Sequence, residues 1–311
     1  DNAAKKAKSV MDDNNANIAQ KTRAEFYFIA AGISRKDEPE GSRDEHLRLL
    51  GEIENLYNSN QLQEPDRIEV LKVQSELLNN VGYVIVSNLK QPEEAPKYFY
   101  AAIEINERPE INDQKGIGIA NGGLGDCYNV LENYDQAEHH YTVNLNISRN
   151  NGDKQGIVRM TSMLGGIKLL NAKNEQDADT KENLLYEAEN YYNESLMVAE
   201  DQNNIFSIMF ALKGLFDCAI VSSSYDSCER LFQILNKYLE LYESLGETIS
   251  ELEKKKIEGG QDFDHKDVKK LNKLSDALPI LEKSLKKLSN KTDRYNKEIK
   301  NYYIIINQPE S

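Results

Sequence analysis

The chain has 311 residues, 39% hydrophobic and 29% charged, with 7 Pro, no Trp and a formal charge of −14. That composition suits a helical protein with ample core, and no run reads as the roughly 18 apolar residues of a membrane span, so no membrane role is expected. An acidic surface repels phosphate, which argues against direct nucleic-acid binding.

From the N-terminus, Met11, Ile18, Phe26, Ile29, Ala30 and Ile33 fall at roughly helical spacing. Arg35 to Ser42 breaks that pattern, and Asp44 opens a second helical run through Leu47, Leu50, Ile53 and Leu56. Residues 1–66 read as an N-terminal helical cap or a degenerate repeat, since a stacked array needs an end unit whose outer face is finished. The chain opens on Asp1 rather than Met, which leaves room for a leader or an upstream domain and makes a missing targeting signal uninformative.

Residues 118–153, GIANGGLGDCYNVLENYDQAEHHYTVNLNISRNNGD, carry two helical patterns meeting at a short Asn133-Tyr134-Asp135 turn. Leu124, Gly125 and Tyr128 lie on the first helix, and Ala137, Tyr141 and Ile147 on the second. Gly125 leaves room for a close helix crossing, with Tyr128 filling the gap beside it, and Ala137 is small because the next helix packs on it. The same marker Gly recurs as Gly82, Gly125, Gly165 and Gly214, at intervals of 43, 40 and 49 residues, and the small residue of the second helix as Ala95, Ala137, Ala188 and Cys228. The polar insertion from Asn171 to Tyr186 lengthens a loop or extends a helix.

These residues resemble tetratricopeptide repeats of the long variety, similar to the Leu-Gly-Asn-type mitotic adaptors and kinesin light chains. The resemblance covers roughly residues 68–245, with Lys168 standing where a Tyr is usual. It implies an all-α fold, a right-handed solenoid with its core over residues 67–225, in which the first helix of each pair lines a concave groove. The groove positions lie one residue after the marker Gly and two, three and six before it. Carried over, the candidate partner-binding residues are Glu76, Asn79, Asn80 and Tyr83 in the first clear pair, Asp126 and Asn129 in the second, and Arg159 and Ser162 in the third. Asn80 matches the Asn that holds an extended peptide in the long-repeat adaptors, whereas Gly123 and Met163 replace it in the next two pairs. A clamp for two carboxylates, as in chaperone-tail receptors, needs several groove cations, and only Arg159 qualifies.

Residues 226–311 change character. Leu231, Ile234, Tyr238, Leu241, Leu245, Thr248 and Leu252 alternate steps of three and four, and so do Leu271, Leu274, Leu278, Leu281, Leu285, Leu288, Thr292, Tyr295, Ile299, Tyr302 and Ile306. Glu258 to Asp262 forms the break between them, and Pro279 falls on an outward position. The two seams are expected to fold back on each other as an antiparallel hairpin of coiled-coil type, the competing arrangement being pairing with another chain. Between Lys254 and Lys300 there are 14 Lys and Arg against 8 Asp and Glu, so the tail is basic and the remainder strongly acidic. A solvated face explains this, or docking on an acidic protein surface.

Chemistry-bearing motifs are missing: there is no dinucleotide or phosphate loop, no HExxH and no GxSxG. The Gly-rich run Gly122 to Asp126 falls inside a repeat helix, and the acidic run from Asp37 to Glu45 lacks the order of a calcium loop. Cys127, Cys218 and Cys228 read as buried apolar residues in a reducing compartment, and His46, His139, His140 and His265 as surface residues. No cofactor, metal or catalytic residue is therefore expected. The resulting expectation is a non-catalytic, cytoplasmic adaptor or scaffold that holds protein or peptide partners in a larger assembly, of cytoskeletal, motor-associated or ciliary kind. Two alternatives stand beside it: a peptide-responsive regulatory receptor, or the repeat half of a longer chain whose effector domain lies elsewhere.

Overall fold

The computed structural model describes residues 2–33, 39–59, 62–222, 225–257 and 265–306. All regular structure among them is helical. Contacts divide the chain into two units, Asp1–Gly156 and Ile157–Ser311.

The first unit contains α1 (Asn2–Met11), α2 (Ile18–Ile33), α3 (Pro39–Asn58), α4 (Asp66–Tyr83), α5 (Pro96–Asn106), α6 (Gln114–Val130) and α7 (Tyr134–Asn151). A π-helical turn, Val84–Asn88, closes α4. Helix starts follow capping chemistry. Asp113 accepts the Gly116 amide at 3.0 Å to begin α6, and Asn133 accepts that of Gln136 at 3.3 Å to begin α7. At the other end of α7, Gly152 takes a left-handed φ of 64°, where a Cβ would be strained. The helices α4 and α5, and α6 and α7, pack as pairs, and α2, α4 and α6 pack in succession as the first helices of neighbouring pairs. This is a helix-pair repeat, as the sequence pattern predicts.

An aromatic wedge on the second helix sets the close approach. The fully buried Phe99 ring of α5 lies against both Gly82 of α4 and Gly123 of α6, and a Cβ at Gly82 would stand 2.6 Å from Phe99 Cζ. Tyr141 of α7 covers Gly125 in the same way. The ring over Gly125 is therefore Tyr141, four residues after Ala137, and not Tyr128, which stacks on His140 instead.

The second unit takes α8 (Lys154–Asn174) from Ile157 onward, then α9 (Ala178–Asp201), α10 (Ile205–Ser222), α11 (Tyr225–Ile257) and α12 (His265–Ile306). The polar insertion extends both α8 and α9 and leaves only residues 175–177 between them, with Asp177 capping α9 through the Thr180 amide at 2.9 Å. Tyr192 repeats the wedge, its ring lying against Gly165 of α8 and Gly214 of α10. Lys168, where the repeat usually has a Tyr, forms an ion pair with Glu187 at 2.9 Å.

Two expectations need correction here. The 18-residue α10 has a mean hydropathy of 1.8 and is, by length and composition, apolar enough to span a membrane, contrary to the sequence reading. It packs between α9 and α11 and buries Ile208, Met209, Leu212, Phe216 and Cys218, which accounts for its apolarity as that of a core helix. The hairpin of α11 and α12 forms within the chain: Lys255 pairs with Asp267 at 2.5 Å near the turn, and Ile234 and Leu288 share one apolar cluster. Its seam drifts from the strict alternation. Ile249 is buried where Thr248 was expected, and Ala277 is fully buried beside the half-buried Leu278. A straight helix of 3.6 residues per turn slips about 20° per heptad, which moves the contact line onto neighbouring positions. Pro279 is exposed, as expected. The side chains of Cys228, Leu231, Tyr295, Ile299, Tyr302 and Ile306 lie outside the described residues.

Candidate functional site

In the first unit the outward residues of α4 and α6 form one face. Between Gly116 and Cys127, α6 is buried except at Ile119, which is 40% exposed, and the half-buried Asp126. Ile119, Asp126 and Asn129 fall seven and three residues apart and so share a side of the helix. From α4, Tyr83 reaches across: its hydroxyl donates to the Ile119 carbonyl at 3.0 Å, and its ring meets Phe99 edge-on at a centroid distance of 5.2 Å. Asn80 lies one turn before Tyr83, half-buried. Among the described residues, neither Asn80 nor Asn129 makes a side-chain hydrogen bond. Asp126 accepts the Tyr141 hydroxyl at 2.9 Å. Ile119 escapes a reading that looks for polar groove residues, although it stands six before Gly125, a position that the repeat rule names.

The remaining candidates are placed differently. Glu76 is engaged by Arg23 of α2 at 3.0 Å, and Arg23 also pairs with Glu69 and donates to the Tyr27 hydroxyl at 3.2 Å. Burial opposes the Arg23 charge, but the Tyr27 hydrogen bond and the two carboxylates outweigh it and raise its pKa. Asn79 is 4% exposed, and its Oδ1 has no donor among the described residues. In the second unit, Arg159 is half-buried on α8, and Ser162 is buried and shares a 2.8 Å hydroxyl contact with Ser195 of α9. Its hydroxyl thus joins two helices.

At the far end of α6, Tyr128 stacks on His140 with ring planes 3° apart, and the Tyr100 hydroxyl lies 3.3 Å from that of Tyr128. Asn121 Nδ2 donates to the Ile117 carbonyl, so its Oδ1 faces His140 Nδ1 at 2.9 Å and the imidazole carries its proton there. Burial, followed by the neighbouring His139, pushes His140 down to about 4. His46 is fully buried too, donating from Nδ1 to the Ser42 carbonyl at 2.6 Å, and burial lowers its pKa. Both depart from the surface placement expected of them, because each ring finds an acceptor inside the fold.

The titratable groups offer no activated nucleophile among the described residues. Burial raises Cys127 and Cys218 to about 12 each, so both are neutral thiols at pH 7. No group of three or more His, Cys, Asp or Glu among the described residues is placed to hold a metal ion.

No family profile matches the chain, and no curated protein matches it. Among solved structures it is similar to the crystal structure of Rap protein complexed with Competence and Sporulation Factor. The two are 13% identical, the match covers 92% of this chain and 72% of the other, and the TM-score is 0.45.

Proposed function

We propose that the chain is a non-catalytic protein-interaction adaptor whose α4/α6 face takes an extended segment of a protein partner. The observation that carries this reading is Ile119. An exposed aliphatic side chain sits in an otherwise buried stretch of helix, its backbone is fixed by the Tyr83 hydroxyl, and the same face carries the amides of Asn80 on α4 and of Asn129, ten residues further along α6. Such a face suits a peptide: one partner side chain packs on Ile119 while the amides, each both donor and acceptor, meet its backbone.

The finer likeness to long-repeat mitotic adaptors and kinesin light chains rests on the repeat pattern of the sequence. A cytoplasmic setting rests on the unpaired Cys127 and Cys218 and a cytoskeletal, motor-associated or ciliary assembly on the helical tail, and imaging of the tagged chain tests both. The regulatory-receptor alternative uses the same face but predicts that a short peptide alone raises the melting temperature.

Affinity capture from the native source with intact chain and with Ile119→Gln/Asn129→Ala tests the adaptor reading. Ile119 is 40% exposed and the half-buried Asn129 makes no side-chain hydrogen bond among the described residues, so the variant keeps its helical circular dichroism. Partners bound by the intact chain and absent from the variant support the reading, and an unchanged partner set overturns it.

A further inference from the structure

In the second unit, α9 and α11 pack on either side of α10 and leave between them a recess of about 240 Å³. Its apolar lining is Leu196 of α9, Leu212 and Leu215 of α10, and Ile234 of α11. Glu189 and Asn193 stand on the α9 rim, and Arg230, Gln233 and Lys237 on the α11 rim. None of these residues belongs to the α4/α6 face, so the inference stands independently of the reading above.

The two ends of the recess differ. At one, Arg230 Nη1 contacts both oxygens of Glu189, at 2.8 and 3.1 Å, which closes that end with a charge-assisted pair. At the other, Lys237 lies 4.0 Å from Glu200, and both side chains are 52% exposed. An exposed pair at that distance holds its partners weakly, so the Lys237 ammonium can turn to an incoming anion at little cost. Glu200 is outside the lining, which carries two cations against the single carboxylate of Glu189. The recess is thus apolar at its base, and with Arg230 paired to Glu189 its rim keeps one loosely held cation, Lys237, within a chain of formal charge −14.

Its size and shape narrow the occupant further. At about 240 Å³ the recess takes one branched aliphatic side chain with room to spare. The recess is open on its solvent side and would leave much of a free small molecule uncovered, whereas sites for small molecules enclose most of the ligand. A peptide needs only its side chain enclosed, and its backbone can run along the rim between the Asn193 and Gln233 amides.

We propose that this recess receives one aliphatic side chain of an acidic partner segment, with a carboxylate next to that side chain meeting Lys237. The apolar base supplies the affinity and Lys237 selects an acidic over a basic sequence.

The test is a methyl NMR titration of the intact chain, labelled at Ile and Leu methyl groups, with three blocked tripeptides: acetyl-Glu-Leu-Glu-amide, acetyl-Glu-Ala-Glu-amide and acetyl-Lys-Leu-Lys-amide. The first is expected to shift the Leu212, Leu215 and Ile234 methyl signals saturably. Alanine at the centre weakens binding about tenfold through lost aliphatic burial. Lys237→Gln, a change at an exposed site that leaves the fold intact, weakens the first peptide about threefold, and Lys237→Arg retains it. The proposal is overturned by any of three results: no saturable shift up to about 10 mM peptide, equal binding of the Lys-Leu-Lys peptide, or an affinity indifferent to Lys237→Gln.

Discussion

Gly123→Ala sets two opposing effects against each other, and the structure decides the sign. By helix propensity alone, alanine in the interior of α6 should stabilise by about 1 kcal/mol. Its Cβ, however, would fall within 3 Å of three Phe99 ring atoms. That ring has little room to retreat, because it is fully buried and its Cζ and Cε1 also lie against Gly82. Overpacking of this kind costs about 1–3 kcal/mol, and an approach of 2.2 Å to two ring atoms belongs at the upper end, so the net change is a destabilisation of up to about 2 kcal/mol. Gly51→Ala on α3 is the matched control, since nothing lies within 4 Å of its added Cβ, and it should stabilise by about 0.5–1 kcal/mol. Urea unfolding followed by helical circular dichroism reads both. Replacing Phe99 by the smaller Leu in the Gly123→Ala background should recover part of the loss, with a coupling of about 1 kcal/mol. If Gly123→Ala stabilises as Gly51→Ala does, the Phe99 wedge is not where the structure places it.

Stability should fall with pH between 6.5 and about 4. The folded His140 resists protonation while the unfolded one accepts it, so the loss develops as pH drops through that window, up to about 3 kcal/mol, and is absent above it; His140→Gln should reduce the slope of urea midpoints over this window, leaving the part due to the buried His46, whose pKa is lowered too. Arg23→Gln removes the pairing with Glu69 and Glu76 and should cost about 1 kcal/mol, less at 1 M salt, measured as a thermal shift at two ionic strengths. Leu281→Ala, at a fully buried position of the hairpin, should cost about 2–5 kcal/mol, whereas the same change at the exposed Ile280 should stay within about 0.5 kcal/mol in the same melts.

The repeat was legible because close helix crossings leave a mark that survives in a single sequence. Gly82, Gly125, Gly165 and Gly214 each face an aromatic ring on a second helix. The rings themselves, Phe99, Tyr141 and Tyr192, follow Ala95, Ala137 and Ala188 by four residues, a signal that was present but overshadowed by the glycines. Side-chain partnership was much less legible. Ser162 and Glu76 occupy positions that the repeat rule assigns to a groove, yet one bonds Ser195 and the other Arg23, residues 33 and 53 positions away in sequence. No local pattern encodes such pairings. Burial of His46 and His140 was hidden for the same reason, since a polar ring enters a core only where an acceptor awaits it. Ile119 shows the converse: an apolar residue on a mostly buried helix reads as core until its neighbours are seen to leave it uncovered.

Helix α6 has five glycines among its 17 residues. At about 1 kcal/mol each relative to alanine, they make it a poor helix in isolation, and nucleation would be rare. Four of the five provide the space into which Asn106 and Phe99 of α5, or Asn144 and Tyr141 of α7, fit. The helix is therefore held by its neighbours and in turn ties them together, so that losing either flank removes the scaffold of the other. The stretch from α5 to α7 should behave as a single foldon: its slowest-exchanging amides would open together, at one common free energy, rather than pair by pair as in an array of self-sufficient repeats.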